Sequence, residues 1–405
     1  MKRLMLVVLI LCVLIVACSA ENTAEIQQTA TQLAAASPSS APSATTAPAS
    51  PTTAPSPSPA TATPIVVVTP EATTSAPLLP DLPAGWTKID GGGETMCARG
   101  TPYSFWVRPG TINKLLIFFE GGGGCWDAES CRAGSTFFDD SVDQGDSPER
   151  QRGIFDLDNP DNPFKDYYIA YVPYCTGDVH MGNNVHTYTA DSGEQVTINF
   201  KGFVNGSTVL EWVYDNVGSP ESIFVTGCSA GSVGSITFAP YVINHYQSSR
   251  VYQLGDSEAF VFGRPVELQT DWRAHDNFAP WIPALSQIQP GDWSAEKFYT
   301  AIANHYPAYF FSQYNTAHDS VQQRFFNAAG GVGVWEEALD SSISQIQANV
   351  PNFRSYLAGG SSHCILPFDS FYSRQSDGVS FRDWVSAIAE GREVENVRCT
   401  QCEQD

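Results

Sequence analysis

Beyond residue 80 the large hydrophobic residues fall into short unbroken runs, at 115–119, 168–172, 222–226, 251–254, 309–313 and 353–358. A strand covered on both faces lacks the polar alternation of a half-exposed one, so these runs predict buried strands of a mostly parallel sheet. Between them the period changes. Val209, Trp212, Val213 and Val217 share one helical face, as do Phe381, Trp384, Val385 and Ile388, and 232–245 also reads as helix. Strands alternating with helices predict an α/β fold, its central sheet covered by helices on both faces. Chemistry in such a sheet collects at the carboxyl ends of the strands.

The N-terminus follows a different pattern. Lys2 and Arg3 precede an apolar run over 4–16, too short to span a bilayer with flanks, and a signal peptide is expected. The run ends Leu14-Ile15-Val16-Ala17-Cys18, which resembles the bacterial lipobox. Cleavage after residue 17 would leave Cys18 to carry lipid on a cell-surface lipoprotein; an ordinary signal peptide cleaved near Ala20, giving a soluble secreted chain, is the alternative. Residues 18–80 are dominated by Ala, Ser, Thr and Pro, as in Pro55-Ser56-Pro57-Ser58-Pro59. Such a segment buries too little surface to offset its ordering entropy and predicts a tether. Residues 81–405 are then the folded domain, of a size suited to one large α/β unit.

A net charge of −22 argues against nucleic acid and anionic lipid as partners, leaving the membrane only through the lipid anchor. It also sets repulsion against a polyanion such as polygalacturonate. Cys97, Cys125, Cys131, Cys175, Cys228, Cys364, Cys399 and Cys402 lie in the folded part. An even set in an exported chain favours disulfides, and Cys97–Cys175 and Cys125–Cys131 are the preferred pairs. The terminal Cys399-Thr400-Gln401-Cys402 lacks a second knuckle or a βαβ setting, so a disulfide is expected there rather than a zinc or redox site.

Gly227-Cys228-Ser229-Ala230-Gly231 follows the run at 222–226 and precedes a helix, the context that a G-x-S-x-G nucleophile elbow requires. Ser229 needs a base, and the chain order Ser, acid, His points to His363, on a loop after the last strand-like run. Two carboxylates compete to orient it: Asp319, after the run at 309–313, where it also suits a helix N-cap, and Asp256, after the run at 251–254. The run at 115–119 leads into Glu120-Gly121-Gly122-Gly123-Gly124-Cys125, whose uncovered amides suit an oxyanion hole together with the N–H of Ala230. A phosphate loop is disfavoured, because no Gly-Lys-Ser/Thr follows.

These segments resemble the pectin acetylesterases and the Wnt-deacylating Notum proteins. The resemblance rests on Phe118-Phe119-Glu120-Gly121-Gly122-Gly123-Gly124-Cys125, Pro173-Tyr174-Cys175-Thr176-Gly177-Asp178, the elbow, Asp256-Ser257-Glu258-Ala259-Phe260 and Asp319-Ser320-Val321-Gln322. It implies an α/β-hydrolase, Asp319 as the acid, Asp256 as a structural or cleft-lining residue, and oxyanion donors at Gly122, Gly123 and Ala230. It also places Asp178 and His180 near the cleft. Family members carry an aromatic residue within the glycine run; here Trp126 follows Cys125, so the acyl pocket is expected to differ in shape, with Trp126 lining the cleft. The expected function is a serine carboxylic ester hydrolase removing acyl groups, acetyl first, from an extracellular polysaccharide, with no metal or organic cofactor. Its substrate is an acylated carbohydrate or small ester, and the sequence leaves the oligomeric state open. Another serine esterase, an acyltransferase and an inactive surface binding protein are the competing readings.

Overall fold

The computed structural model describes residues 82–257, 259 and 270–403. The expected signal peptide, Cys18 and the tether lie outside the described residues. In chain order the strands are β1 (Thr87–Asp90), β2 (Ser104–Arg108), β3 (Lys114–Phe119), β4 (Tyr168–Val172), β5 (Asn184–Thr189), β6 (Gln195–Phe200) and β7 (Ser222–Cys228). They continue with β8 (Arg250–Asp256), β9 (Phe310–Thr316), β10 (Phe353–Ala358), β11 (Gln375–Ser376), β12 (Val379–Ser380) and β13 (Val397–Arg398). The described helices of eight residues or more are α1 (Gly202–Asn216), α2 (Ala230–His245), α3 (Ala295–His305), α4 (Ser320–Ala328), α5 (Trp335–Asn349) and α6 (Phe381–Ala389).

Nine strands form one sheet in the order β1-β2-β4-β3-β7-β8-β9-β10-β13. From β4 to β13 every neighbouring pair is parallel, while β1–β2 and β2–β4 are antiparallel. The buried runs of the sequence became the central strands because each packs on both sides. On β3, Leu115, Ile117 and Phe119 join a cluster with Val209 and Val213 of α1 and Ile236 of α2. Leu116 and Phe118 join the opposite cluster, with Trp384 and Ile388 of α6. β9 begins and ends later than its run of large apolar residues, since Tyr314, Asn315 and Thr316 are also buried and stay in the sheet.

Two features were not expected. The hairpin β5–β6 alternates in exposure, with Val196, Ile198 and Phe200 on the buried face of β6, and so contains no continuous apolar run; a search for such runs passes over it. The antiparallel edge β1–β2 is short for the same kind of search.

Register levels the carboxyl ends of the central strands. Phe119 is opposite Gly227, Cys228 opposite Asp256, and Ala358 opposite Thr316. The loops after β3, β7, β9 and β10 therefore emerge on one edge. β3 and β7 are neighbours whose chains continue to opposite sides of the sheet, to β4 and to β8. That is the switch point at which open α/β sheets place their sites. Four disulfides cross-link the domain: the expected Cys97–Cys175, Cys125–Cys131 and Cys399–Cys402, and also Cys228–Cys364. No helix among the described residues is long and apolar enough to cross a membrane.

Candidate active site

Ser229 sits alone between β7 and α2, with φ 55° and ψ −122°. A residue with a Cβ rarely adopts this conformation, and it persists here because its surroundings hold it. The Ser229 N–H donates to the Asp256 carbonyl at 2.8 Å. The flanking glycines are steric requirements. A Cβ on Gly231 would lie 2.0 Å from the Phe119 carbonyl oxygen, and one on Gly227 would lie 2.2 Å from that of Gly231.

The glycine loop after β3 is held from one side by the segment after β4. Tyr174 Oη donates to the Gly123 carbonyl at 2.8 Å, and the Tyr174 N–H donates to Glu120 Oε2 at 3.2 Å. His180 Nε2 lies 2.8 Å from the Glu120 carbonyl, which only accepts, so Nε2 carries the proton. Burial pulls the His180 pKa down to about 4, keeping the ring neutral. Gly124 N–H donates to Phe137 and Cys125 N–H to Gly177. Among the described residues the N–H groups of Gly122 and Gly123 have no protein acceptor. Ala230 opens α2, so its N–H has no partner within the helix.

β10 leads into Gly359-Gly360-Ser361-Ser362-His363. His363 Nδ1 lies 2.8 Å from Asp319 Oδ2 and 3.0 Å from Oδ1. Asp319 is fully buried and also caps α4, Oδ1 accepting from the N–H groups of Val321 and Gln322. The Gln322 amide donates to Oδ2 at 3.0 Å. The helix cap and the histidine partner, alternatives in the sequence, are the same carboxylate.

Behind His363 the chain is fastened by backbone and covalent bonds. Asp256 accepts from the N–H groups of Ile365 and Leu366 at 2.9 and 2.8 Å, and Ser257 Oγ accepts from Cys364 N–H at 2.8 Å. The disulfide Cys228–Cys364 joins the residue before Ser229 to the residue after His363. Replacing both cysteines by serine is expected to cost about 2–5 kcal/mol of stability. It should also lower kcat by about tenfold to a hundredfold, because an ångström of misplacement is enough for that. Urea unfolding and steady-state rates on p-nitrophenyl acetate measure the two effects; unchanged kcat in a destabilised variant would limit the bridge to a structural role.

Ser229 and His363 line two cavities that meet between them. One is apolar, of about 60 Å³, lined by Trp126, Val179, Ala230, Trp272, Phe325 and Trp335. The other is an open groove of about 610 Å³, bordered by Glu120, Phe137, Asp139, Gln151, Arg324 and Phe368. Gly123 borders both.

Trp126 lines the small cavity, but Asp178 and Asp256, both expected as cleft-lining candidates, line neither. Asp178 is fully buried and accepts from Thr176 Oγ1 at 2.6 Å and Gly202 N–H at 2.8 Å, tying the Tyr174 segment to α1. Their short side chains turn into the protein toward backbone donors. Sequence reading missed Trp272 and Trp335, which come from segments remote from the motifs, and Phe325, which lies one turn beyond Gln322 of the Asp-x-x-Gln segment on α4.

Burial raises the pKa of Asp178 and of Asp256 to about 6, against the hydrogen bonds that lower it. Both folded values lie above the unfolded value of about 3.9. The folded state thus binds more protons between these limits, and stability is lost as pH rises from about 4 through about 6, by roughly 3 kcal/mol per group. Urea unfolding should give a lower free energy at pH 7.5 than at pH 5, with a smaller difference in Asp178→Asn. Equal stability at the two pH values would contradict the assignment.

The parallel sheet, the elbow at the switch point and the His–Asp pair on the following strand-end loops define an α/β-hydrolase. Residues 88–326 match the sequence profile of the family described as Pectinacetylesterase, more than half of the chain, and the protein belongs to that family. It is 31% identical over 150 residues to the palmitoleoyl-protein carboxylesterase Notum of Schmidtea mediterranea, covering 34% of this chain and 26% of that protein. It is 25% identical over 142 residues to pectin acetylesterase 4 of Arabidopsis thaliana, covering 33% and 32%. The chain thus matches a third or less of the length of these relatives. Two crystal forms of the Wnt deacylase Notum from Drosophila share the fold. Their TM-scores are 0.55 and 0.58, at 18% and 16% identity, covering 76% and 78% of this chain and 94% and 97% of theirs.

Proposed function

We propose that this protein is a serine carboxylesterase that removes short acyl groups, acetyl foremost, from an extracellular polysaccharide. The observation that carries the reading is the 2.8 Å contact of His363 with buried Asp319, on a histidine that shares its cavities with the strained Ser229. Asp319 holds the proton on His363 Nδ1, leaving Nε2 as the base. Ser229 Oγ attacks the ester carbonyl as Nε2 takes its proton, and the N–H groups of Gly122, Gly123 and Ala230 receive the developing oxyanion. The tetrahedral adduct expels the alcohol, which takes the proton from His363. Water, deprotonated by the same imidazole, then releases the carboxylate and restores Ser229.

The size of the apolar cavity supports a short acyl group. Space of about 10–15 Å³ accommodates one water, so about 60 Å³ suits only a handful of non-hydrogen atoms. The wide groove that also borders Ser229 suits the alcohol portion. On the evidence of the apolar N-terminal run and Cys18 we place the domain outside the cytoplasm on a lipid anchor, a setting in which four disulfides persist. A fluorophosphonate probe should form one adduct, at Ser229, with loss of p-nitrophenyl acetate hydrolysis. Absence of that adduct on the folded protein would remove the proposal and leave a binding protein on a hydrolase fold.

A further inference from the structure

One aromatic ring escapes burial at the groove beside Ser229. Among the described residues Phe368 is the one phenylalanine, tyrosine or tryptophan that is exposed, at 49%. It borders the groove together with Ser229 and His363, which it closely follows in the chain. It joins none of the three hydrophobic clusters formed by the described residues. Phe137, also on the groove, is already engaged: the Arg324 guanidinium lies 4.8 Å from its ring centroid, and Trp126 and Phe325 meet it edge-on at 5.5 and 5.9 Å. A single exposed apolar side chain is common on a surface. What sets this one apart is its place and its rigid support. Its N–H donates to the Ile365 carbonyl at 3.1 Å, and its carbonyl accepts from Phe371 N–H at 3.0 Å. The Pro367 carbonyl accepts from Arg152 N–H at 3.1 Å, and a Cβ on Gly153 would stand 2.7 Å from the Phe368 carbonyl oxygen. A ring on fixed main chain, with only two side-chain torsions, loses little freedom when a ligand covers it.

The rest of the lining says what such a ring would meet. Asp139, Gln151 and Arg324 border the same groove. A hydrocarbon chain lying there would strip water from these groups and give them no hydrogen bond in return. A sugar ring matches the mixture. The C–H hydrogens on its face carry partial positive charge and suit the negative face of an aromatic ring, while the hydroxyls around its edge bond polar side chains. We infer that Phe368 is a stacking platform for a pyranose ring of the substrate, and so the residue by which the groove holds a glycan as the alcohol side of the ester. The inference rests on the esterase reaction proposed for Ser229 and adds to it the side chain that selects the alcohol.

The test measures acid release by the full-length protein from acetylated xylan and acetylated pectin, with ethyl acetate as an ester without a sugar and ethyl octanoate as an apolar rival. In Phe368→Ala, kcat/KM on the better glycan should fall about fivefold to tenfold relative to that on ethyl acetate, with the change in KM rather than kcat. Phe368→Tyr and Phe368→Trp should keep the glycan rate. Phe368→Leu, apolar but without a flat face, should lose it as alanine does. An unchanged ratio in Phe368→Ala, or full glycan activity in Phe368→Leu, overturns the inference and leaves the esterase reading standing. So does a loss confined to ethyl octanoate, which would give the groove to an acyl chain. Release from ethyl acetate with none from either glycan overturns the inference together with the choice of a polysaccharide. Failure of the unaltered protein on every ester is failure of the reaction at Ser229 itself.

Discussion

Ser229→Ala is expected to lower kcat on p-nitrophenyl acetate by about 10⁴- to 10⁶-fold, with little change in the urea midpoint. The size follows from the loss of the acyl-enzyme route: with no hydroxyl at the elbow, His363 and the amides of the glycine loop are left to assist direct attack by water, which is slow. Stability should change little, because no hydrogen bond of the Ser229 hydroxyl contributes to the fold described here; the main-chain N–H to Asp256 is retained. Alanine tolerates a φ of 55° no better than serine, so backbone strain is equal in the two proteins. Stopped-time assays at high enzyme concentration measure the residual rate. Retention of more than about a tenth of the activity would mean that another nucleophile does the work.

Asp319→Asn should be nearly as damaging, by about 10³- to 10⁴-fold in kcat, while Asp256→Asn should cost less than about tenfold. The contrast separates two carboxylates that chain order alone leaves in competition and that the family resemblance ranks in favour of Asp319. Asparagine at 319 keeps an oxygen to cap α4, where it is as good as aspartate, so the fold should tolerate it. Its amide, however, donates where the carboxylate accepts, and drives the His363 proton from Nδ1 to Nε2, the atom that must be free to act as base. Asp256 does not touch His363 through a hydrogen bond; its carboxylate holds the N–H groups of Ile365 and Leu366. Steady-state kinetics of the two variants decide the matter. A deep kcat loss in Asp256→Asn beside an active Asp319→Asn would reverse the assignment.

Much of this site was legible in one dimension. The central strands announce themselves because burial on both faces demands unbroken apolar runs, and β10 spans 353–358 as its run does. The elbow is legible because strand, tight turn and helix are consecutive, and because glycine is required wherever a carbonyl such as that of Phe119 approaches within 2.0 Å of a Cβ position. His363 is legible from order alone. The hairpin β5–β6 was missed although Val196, Ile198 and Phe200 alternate with polar residues along β6, because that period-two pattern contains no unbroken apolar run.

From sequence alone come the central parallel strands and several helices, the nucleophile's turn, the candidate base and three of the four disulfides, all features of local period, composition and chain order. The family resemblance already favoured Asp319 over Asp256; the tertiary structure placed its carboxylate 2.8 Å from His363, linked Cys228 to Cys364 across 136 residues, and turned Asp178 inward. It alone set the two cavities, whose walls come from segments as distant as Trp126, Trp272 and Trp335. The reason is physical. A strand's burial is written in its own side chains, whereas which carboxylate meets an imidazole depends on strand order and register across the sheet. The volume left beside a serine depends on how side chains from separate loops pack together, and no local pattern carries that information.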